Sequence, residues 1–281
     1  MTLPARPHPH AGDDGRVRRR HLSDVALVVV GRVAIVVIVG LLLLPVAVVL
    51  MLSLSNDTVF AFPPSSWGFR QYRELLDNPQ WVAAISYSVK IAIPAVVLSV
   101  VVAVPASLAI HRSALPGRGL LQLGGIASIV IPISAFAVAM YGVFAQFGLL
   151  GSYWGLVVAN TVLAFPFVLI VTSAALTRIP VELELAAMIA GASRPRAWAG
   201  VTLRLLLPAI LAGALLAFVT SFDEAVFINF LGGPDQVTLP KEVFNSVRYG
   251  IDPAITAIAA VLMLTTSAIM TCALVLQRRG R

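Results

Sequence analysis

Two adjacent carboxylates, Asp223 and Glu224, interrupt a long apolar run over residues 205–231. If this run forms one continuous membrane helix, Asp223 lies nine residues before Gly232, or about 13 Å, which is close to the bilayer midplane. A carboxylate at that depth costs roughly 2.5–3.5 kcal/mol in lipid, so we expect the pair to face water or protein. With Ser221 one turn before Glu224, the pair could bind a cation or gate its path. The alternatives are bonds to neighbouring hydroxyls, or an outer vestibule if the helix breaks.

No residues suited to covalent or metal catalysis accompany this pair. Cys272 is the single cysteine, His111 lies at the boundary of an apolar run, and the chain contains no HExxH motif. A phosphate-binding GxxxxGK[ST] loop is also absent, because Lys90 and Lys241 follow valine and proline rather than glycine. We therefore expect a protein that is not an enzyme and that binds no metal or cofactor itself, so that energy comes from a partner or from an ion gradient.

The composition indicates an integral membrane protein. Of the 281 residues, 59% are hydrophobic and only 12% are charged, whereas about a quarter of the residues in a typical soluble protein are charged. The formal net charge of +7 does not indicate nucleic-acid binding, because the arginines lie at the ends of apolar runs and form no stripe with interleaved aromatics. The lipid bilayer is the expected environment.

Runs long enough to cross a membrane occur six times, and none alternates as a barrel strand would. The predicted spans are 30–53, 82–110, 119–146, 154–177, 205–231 and 254–277. The predicted fold is an all-α membrane protein with six transmembrane helices over 25–281, preceded by a disordered basic tail at 1–24. A polar loop at 178–204 separates the fourth and fifth spans.

The distribution of basic residues predicts the orientation. If both termini are cytoplasmic, 14 of the 20 lysines and arginines lie in inner segments, 4 lie in outer segments, and Arg32 and Lys90 lie in spans. This bias is the one expected from the positive-inside rule, so both termini should be cytoplasmic.

The polar loop has the signals of two short helices. Pro180 suits a first helical position, Glu182 and Glu184 suit the first turn, and Gly191 can supply a left-handed stop. Ser193 could then cap a second helix. The first helix has one apolar face and, beside it, a small-residue surface, formed respectively by Leu185, Met188 and Ile189 and by Ala186, Ala187 and Ala190. Spacing leaves two interpretations open: a helix lying on the membrane surface, or a docking element for a protein.

The outer segment around Arg248, Tyr249, Asp252 and Pro253 also admits two interpretations. It could contact a protein outside the membrane or shape a gate. Asp252 and Pro253 alternatively need only start the last helix, with aspartate as the cap and proline at the first position.

The polar loop resembles the EAA loop of inner-membrane permease subunits in binding-protein-dependent ABC importers. Ala186, Ala187, Gly191 and Ala192, followed by VTL at 201–203, match its spacing. Two positions depart from the pattern: Leu185 occupies the usual glutamate position, directly after Glu184, and Arg204 replaces the first proline. SFDEAVF at 221–227, TLP at 238–240 and NSVRYGIDP at 245–253 resemble the spermidine/putrescine branch, as does the run at 148–169.

The resemblance implies a division of labour in a bacterial inner membrane. This chain would form half of a pore, completed by a second permease subunit. Two cytosolic ATPase subunits would use ATP and receive the EAA-type coupling helix, and an extracytoplasmic binding protein would deliver the polyamine. An importer of the same class for another small solute or metal ion is one alternative. An ion-coupled carrier acting alone is another, although it leaves the EAA-type loop without a role.

Overall fold

The computed structural model describes residues 14–113, 116–249 and 252–279. Within that part the chain forms twelve α-helices and no β-sheet. The helices are α1 (Asp14–Ser53), α2 (Arg70–Asp77), α3 (Pro79–Arg112), α4 (Arg118–Val130), α5 (Ile133–Gln146), α6 (Tyr153–Leu176), α7 (Glu182–Ile189), α8 (Arg194–Ala197), α9 (Leu203–Phe222), α10 (Val226–Leu231), α11 (Leu239–Tyr249) and α12 (Ala254–Arg279).

The predicted spans correspond to long helices, with two of the six broken. Five helical stretches are long and apolar enough to cross a membrane, and the bent pair α4–α5 provides a sixth if it counts as one span. The all-helical membrane fold predicted from the sequence is therefore confirmed.

The third span, predicted over 119–146, bends by 109° between α4 and α5. Ile131 has extended φ and ψ angles of −74° and 131°, and Pro132 follows it. The proline ring disfavours a helical conformation in the residue before it, which accounts for the break. By contrast, Pro94 and Pro105 lie inside the continuous helix α3, and Pro166 lies inside α6.

The fifth span, predicted over 205–231, also breaks, which is the second of the two possibilities that the sequence left open. Helix α9 ends at Phe222, residues 223–225 are not helical, and α10 resumes at Val226. The break falls on the acidic pair. At the break these carboxylates have hydrogen-bond partners or open space, which a continuous helix in lipid would not provide.

Helices α3, α6 and α9 pack together as the centre of the bundle. Ala103 of α3, Ala164 and Val168 of α6 and Ala217 of α9 are fully buried in one cluster. Helix α10 packs against α5 and α6 through Phe227, in a second cluster. The alanines of the first cluster let the backbones of α3, α6 and α9 approach closely, as is typical of membrane helix contacts.

Helix α1 lies at the margin of the bundle and packs against α12. Its apolar side chains from Val28 to Leu44 are exposed, as suits a helix surrounded by lipid or by another subunit. Residues 14–24, part of the predicted disordered tail, are helical, while residues 1–13 lie outside the described part. Once the apolar span has nucleated a helix, extending it through arginine-rich sequence is inexpensive, because arginine is a good helix former.

The two ends of the bundle carry different short helices. One end carries the polar loop with α7 and α8, and we call it the α7 end. The opposite end carries α2 and α11 and is here the α11 end. Helix α11 was not predicted, although its apolar residues Leu239, Val243 and Val247 recur at a helical spacing.

Candidate functional site

The break in the fifth span separates the roles of the two acidic side chains. Glu224 is only 6% exposed, and its carboxylate accepts backbone N–H groups from Val226 at 2.5 Å and from Phe227 at 2.9 and 2.8 Å. These are the unpaired N–H groups of the first turn of α10, and a carboxylate is favoured at that end of a helix. Glu224 therefore caps α10 rather than facing open space.

Asp223 lies in a different environment. Its side chain is exposed and lines a cavity of about 630 Å³ between α1, α3, α9 and α12. The carboxylate forms no hydrogen bond or ion pair with any described residue. Its neighbours in the lining are mainly apolar, and Phe218 and Phe222 stack there with ring centroids 5.5 Å apart. An unpaired carboxylate beside aromatic rings is suited to a cation, because both attract positive charge.

Ser221 does not join Asp223 in this cavity. Its buried Oγ donates to Oδ1 of Asn160 at 3.0 Å, and Nδ2 of Asn160 donates to the Leu156 carbonyl at 2.9 Å. The hydrogen bond between Ser221 and Asn160 thus joins α9 to α6 directly before the break. Asn160 was missed in the sequence analysis, and the signal that could have found it is an amide side chain within the apolar run of α6.

The polar loop folds as α7, a turn, α8 and a π-helical turn over Trp198–Thr202. Helix α7 begins at Glu182, two residues after the predicted start at Pro180, and Gly191 follows it with a φ of 96°, as predicted. Ser193 occupies the cap position of α8, but its hydroxyl makes no capping hydrogen bond.

Helix α7 is fastened to the rest of the bundle through Glu184. Its Oε1 accepts the Thr202 hydroxyl at 2.5 Å and lies 3.2 Å from Nε of Arg112, the last residue of α3. That N–H is not aligned as a hydrogen bond, so the contact with Nε is an ion pair only. Nη2 of Arg112 also donates to the Ile179 carbonyl at 2.6 Å. One arginine thus joins α3 to both ends of the short segment 179–184.

The outward side of α7 is apolar. Leu185 and Met188 are exposed, and Ile189 is 88% exposed. Ala186 and Gly191 are exposed as well, while Ala187 and Ala192 are half-buried. Leu185 therefore contributes apolar surface, whereas the neighbouring Glu184 carboxylate is turned into the loop.

The segment around Arg248 belongs to the α11 end. The Arg248 guanidinium lies 5.8 Å from the ring centroid of Tyr249, which is itself exposed. Oδ1 of Asp252 accepts the Ala254 N–H at 2.9 Å, and Oδ2 accepts the Trp81 indole N–H at 3.4 Å. Asp252 and Pro253 thus start α12 as the local interpretation predicted, and Asp252 also joins α12 to the first turn of α3.

Comparison with known proteins supplies the family. Residues 96–279, which make up more than half of the chain, match the family described as the inner membrane component of binding-protein-dependent transport systems. The chain belongs to this family. This permease is accordingly a multi-pass protein of the inner membrane.

Named relatives extend the match beyond the family region. The spermidine/putrescine transport system permease protein PotC of Haemophilus influenzae is 26% identical over 247 residues, covering 87% of this chain and 95% of that protein. The putrescine transport system permease protein PotI of Escherichia coli is 30% identical over 210 residues, covering 71% and 73%. The trehalose transport system permease protein SugB of Mycobacterium tuberculosis is 26% identical over 247 residues, covering 86% and 90%.

Solved structures share the permease fold. A chain of a bacterial ABC transporter that imports the acidic polysaccharide alginate superposes with a TM-score of 0.68 at 18% identity, covering 91% of this chain and 97% of that one. A chain of the MetNI methionine ABC transporter superposes with a TM-score of 0.59 at 17% identity, covering 71% and 95%. At these identities the likeness concerns the fold alone.

Proposed function

We propose that this chain is a pore subunit of an ATP-driven importer and that it translocates polyamines such as spermidine and putrescine. The observation that supports a polyamine as the substrate is the position of Asp223, an unpaired carboxylate in a cavity that also contains stacked aromatic rings. Relatives with polyamine transport names align over most of the chain and support the same substrate class.

The chemistry of the cavity suits an ammonium group on an alkyl chain. Asp223 offers the charge, and the faces of Phe218 and Phe222 attract a cation that has lost part of its water. The methylene groups of a polyamine can lie against the remaining apolar lining. The hydroxyls of Thr265 and Ser267 supply further acceptors.

Helix α7 is the proposed coupling helix. Its exposed apolar side chains, Leu185 and Ile189 among them, would enter a cleft of a cytosolic ATPase subunit. The small residues Ala186, Ala187, Gly191 and Ala192 would allow close approach. ATP would be bound and hydrolysed by two such partner subunits, and this chain would bind no cofactor and act as no enzyme. Glu184 and Arg112 would pass the movement of α7 to α3.

The proposed orientation follows from the basic residues. The α7 end and both termini would be cytoplasmic, because 14 of the 20 lysines and arginines lie in the segments that this orientation places inside. The α11 end would face outward, where Arg248 and Tyr249 could contact an extracytoplasmic binding protein. A second permease subunit would complete the pore, as the broken spans and the exposed α1 suggest.

Uptake of labelled spermidine and putrescine tests this proposal in cells lacking the chain and in the same cells after complementation. The strain must lack other polyamine importers. We expect uptake to be lost and then restored, and to fail when ATP is depleted with the proton gradient kept intact. Uptake driven by the proton gradient alone would instead indicate an ion-coupled carrier.

Uptake of a second labelled solute distinguishes polyamine import from import of another substrate. The likeness to SugB makes a neutral sugar the comparison to include, and labelled trehalose is the probe. Restored trehalose uptake with unchanged polyamine uptake would contradict the polyamine assignment. The binding protein that works with the chain would then be the molecule with which to screen other solutes and metal ions.

A further inference from the structure

A second polar cavity lies at the α7 end, away from Asp223. It has a volume of about 280 Å³ and is bounded by the ends of α3 and α6 and by α4. Its polar lining consists of His111, Gln122, Ser173 and Thr177. Among the described residues that line it, none is a carboxylate, a lysine or an arginine, so the cavity offers neutral polar groups.

Ser173 is the residue that points to a ligand. It is 8% exposed, and its Oγ is buried without a hydrogen-bond partner among the described residues. The neighbouring threonine hydroxyls behave differently: those of Thr161 and Thr172 in α6, and of Thr177 directly after it, donate to carbonyls of α6 at 2.7, 2.7 and 2.9 Å. A buried polar atom left unpaired is costly, so a hydroxyl that could have bonded to its own helix has its oxygen available for another group.

The remaining polar groups of the cavity can also accept hydrogen bonds. Nδ1 of His111 lies 2.9 Å from the Ser107 carbonyl, an acceptor, so this nitrogen carries the proton in the neutral ring. Nε2 is then the unprotonated acceptor. Gln122 offers an amide oxygen, and Thr177 keeps a lone pair after donating to Ala174. Four acceptors suit an ammonium group, which brings three donors.

Helix dipoles at this position also favour a cation. His111 lies in the last turn of α3, and Ser173 and Thr177 lie at the C-terminal end of α6, so the negative ends of two helix dipoles meet here. The N-terminus of the shorter helix α4 opposes them. Three arginines lie near this position. The charge of Arg112 is offset by Glu184, with their atoms 3.2 Å apart, and the charges of the exposed Arg118 and Arg178 are screened by solvent.

The geometry points to an ammonium-binding subsite between α3, α4 and α6, occupied by one end of a polyamine as it leaves the pore. This inference rests on the proposed polyamine function. Neutral acceptors hold a cation less tightly than Asp223 would, which suits a position near release because a transport pathway requires binding weak enough to leave. The volume accommodates an ammonium group with several methylenes or waters.

Cysteine labelling tests the subsite in the purified complete complex, reconstituted in nanodiscs. Cys272, the single native cysteine, is replaced by serine, and Ile126→Cys places a reporter in the cavity lining. Labelling by a methanethiosulfonate reagent is timed with putrescine and with the uncharged 1,4-butanediol. With putrescine at ten times its dissociation constant, labelling should slow about tenfold, and the diol should have no effect.

Variants link the protection to the acceptors. Ser173→Ala combined with Gln122→Leu should abolish protection by putrescine. Thr161→Ala, which removes a self-bonded hydroxyl of α6 outside the cavity, should leave it intact. Equal protection by the diol, no protection by putrescine, or protection that survives the double substitution would each overturn the subsite.

Putrescine uptake by the same reporter complex in proteoliposomes separates the two proposals. Uptake without protection overturns the subsite and leaves the polyamine function standing. Absence of both overturns both. Protection together with uptake, lost in the double variant, supports the subsite.

Discussion

The carboxylate of Glu184 on α7 lies 3.2 Å from Nε of Arg112, the last residue of α3. Both side chains are mostly buried, with exposures of 16% and 19%. The same carboxylate accepts the Thr202 hydroxyl just before α9 begins. Helix α7, whose outer face is apolar, is therefore attached on its inner side through one acidic residue. That residue links it to α3 and to the start of α9, two of the three central helices of the bundle.

Loss of the Glu184–Arg112 contact should weaken the coupling of ATP hydrolysis to transport. Arg112→Gln should leave ATP hydrolysis by the assembled complex measurable while uptake per ATP falls roughly tenfold. The substitution also removes the hydrogen bond of the guanidinium to the Ile179 carbonyl, and hydrogen bonds to charged groups contribute about 1.5–3 kcal/mol. Arg118→Gln, at an exposed arginine with no ion pair among the described residues, is the matched control. Uptake and phosphate release from the same proteoliposomes give the ratio.

A double-substitution cycle makes this prediction specific. Glu184→Gln should have an effect similar to that of Arg112→Gln, and the double variant should lose little more than either. Effects that add to within about 0.5 kcal/mol would show that the two side chains act independently, contrary to the expectation.

Asp223→Asn should lower polyamine uptake about tenfold or more while the complex still assembles, because the substitution keeps the shape and removes the charge in the cavity. Labelled putrescine uptake and copurification of the partner subunits are the measurements. Asp77→Asn, at an exposed aspartate that ends α2, should transport normally. Wild-type uptake by Asp223→Asn would contradict a role in the substrate pathway.

Glu224→Gln should act on stability, in contrast to Asp223→Asn. An amide retains one acceptor oxygen but brings an NH₂ group toward the N–H groups of Val226 and Phe227. We expect a loss of about 1–3 kcal/mol and a lower Tm for the purified complex. The Tm from thermal unfolding of Glu224→Gln and Asp223→Asn, measured in parallel, checks this. An unchanged Tm for Glu224→Gln would contradict its capping role.

Asp57 should order the loop before α2. Its carboxylate accepts the hydroxyl and, at 2.9 Å, the backbone N–H of Ser65, and these bonds hold the pKa of Asp57 below its ordinary value of 3.8. Because the folded pKa is the lower one, the stabilisation is fully present above the unfolded value and is lost as the pH falls through the folded value.

At neutral pH, Asp57→Ala should therefore expose the loop to chymotrypsin, with faster cleavage after Phe60, which is already exposed. Wild-type cleavage per unit of protease activity should not change between about pH 6 and 8. Asp77→Ala is the control. Equal cleavage of Asp57→Ala and wild type would show that the aspartate does not order the loop.

The sequence was sufficient for the class of fold because lipid leaves a long apolar run only one regular structure. It was not sufficient for the interruptions. Pro132 could have indicated the bend between α4 and α5, yet Pro94, Pro105 and Pro166 lie inside continuous helices. A proline interrupts a helix only where the surrounding packing allows it, and this depends on contacts between distant segments.

The acidic pair shows the same limit of what the sequence alone predicts. The sequence identified Asp223 and Glu224 as unusual in lipid, and left open whether they line a pathway or serve the structure. The structure divides them: Glu224 bonds to the start of α10, and Asp223 lines a cavity. The difference between adjacent carboxylates lies in the break itself, which residue types and spacing did not reveal. Arg112, counted only as an inner-segment charge, likewise needed the fold to bring Glu184 beside it.

The bend between α4 and α5 has a consequence for how the protein can exist in a cell. With 13 and 14 residues, the two pieces are about 20 and 21 Å long, and neither crosses a hydrocarbon layer of about 30 Å. Polar backbone groups at the break must be covered by protein or water, because lipid cannot satisfy them. A copy without its partner subunits would present that break to the bilayer, so we expect it to be less stable in the membrane than a copy in the assembled complex.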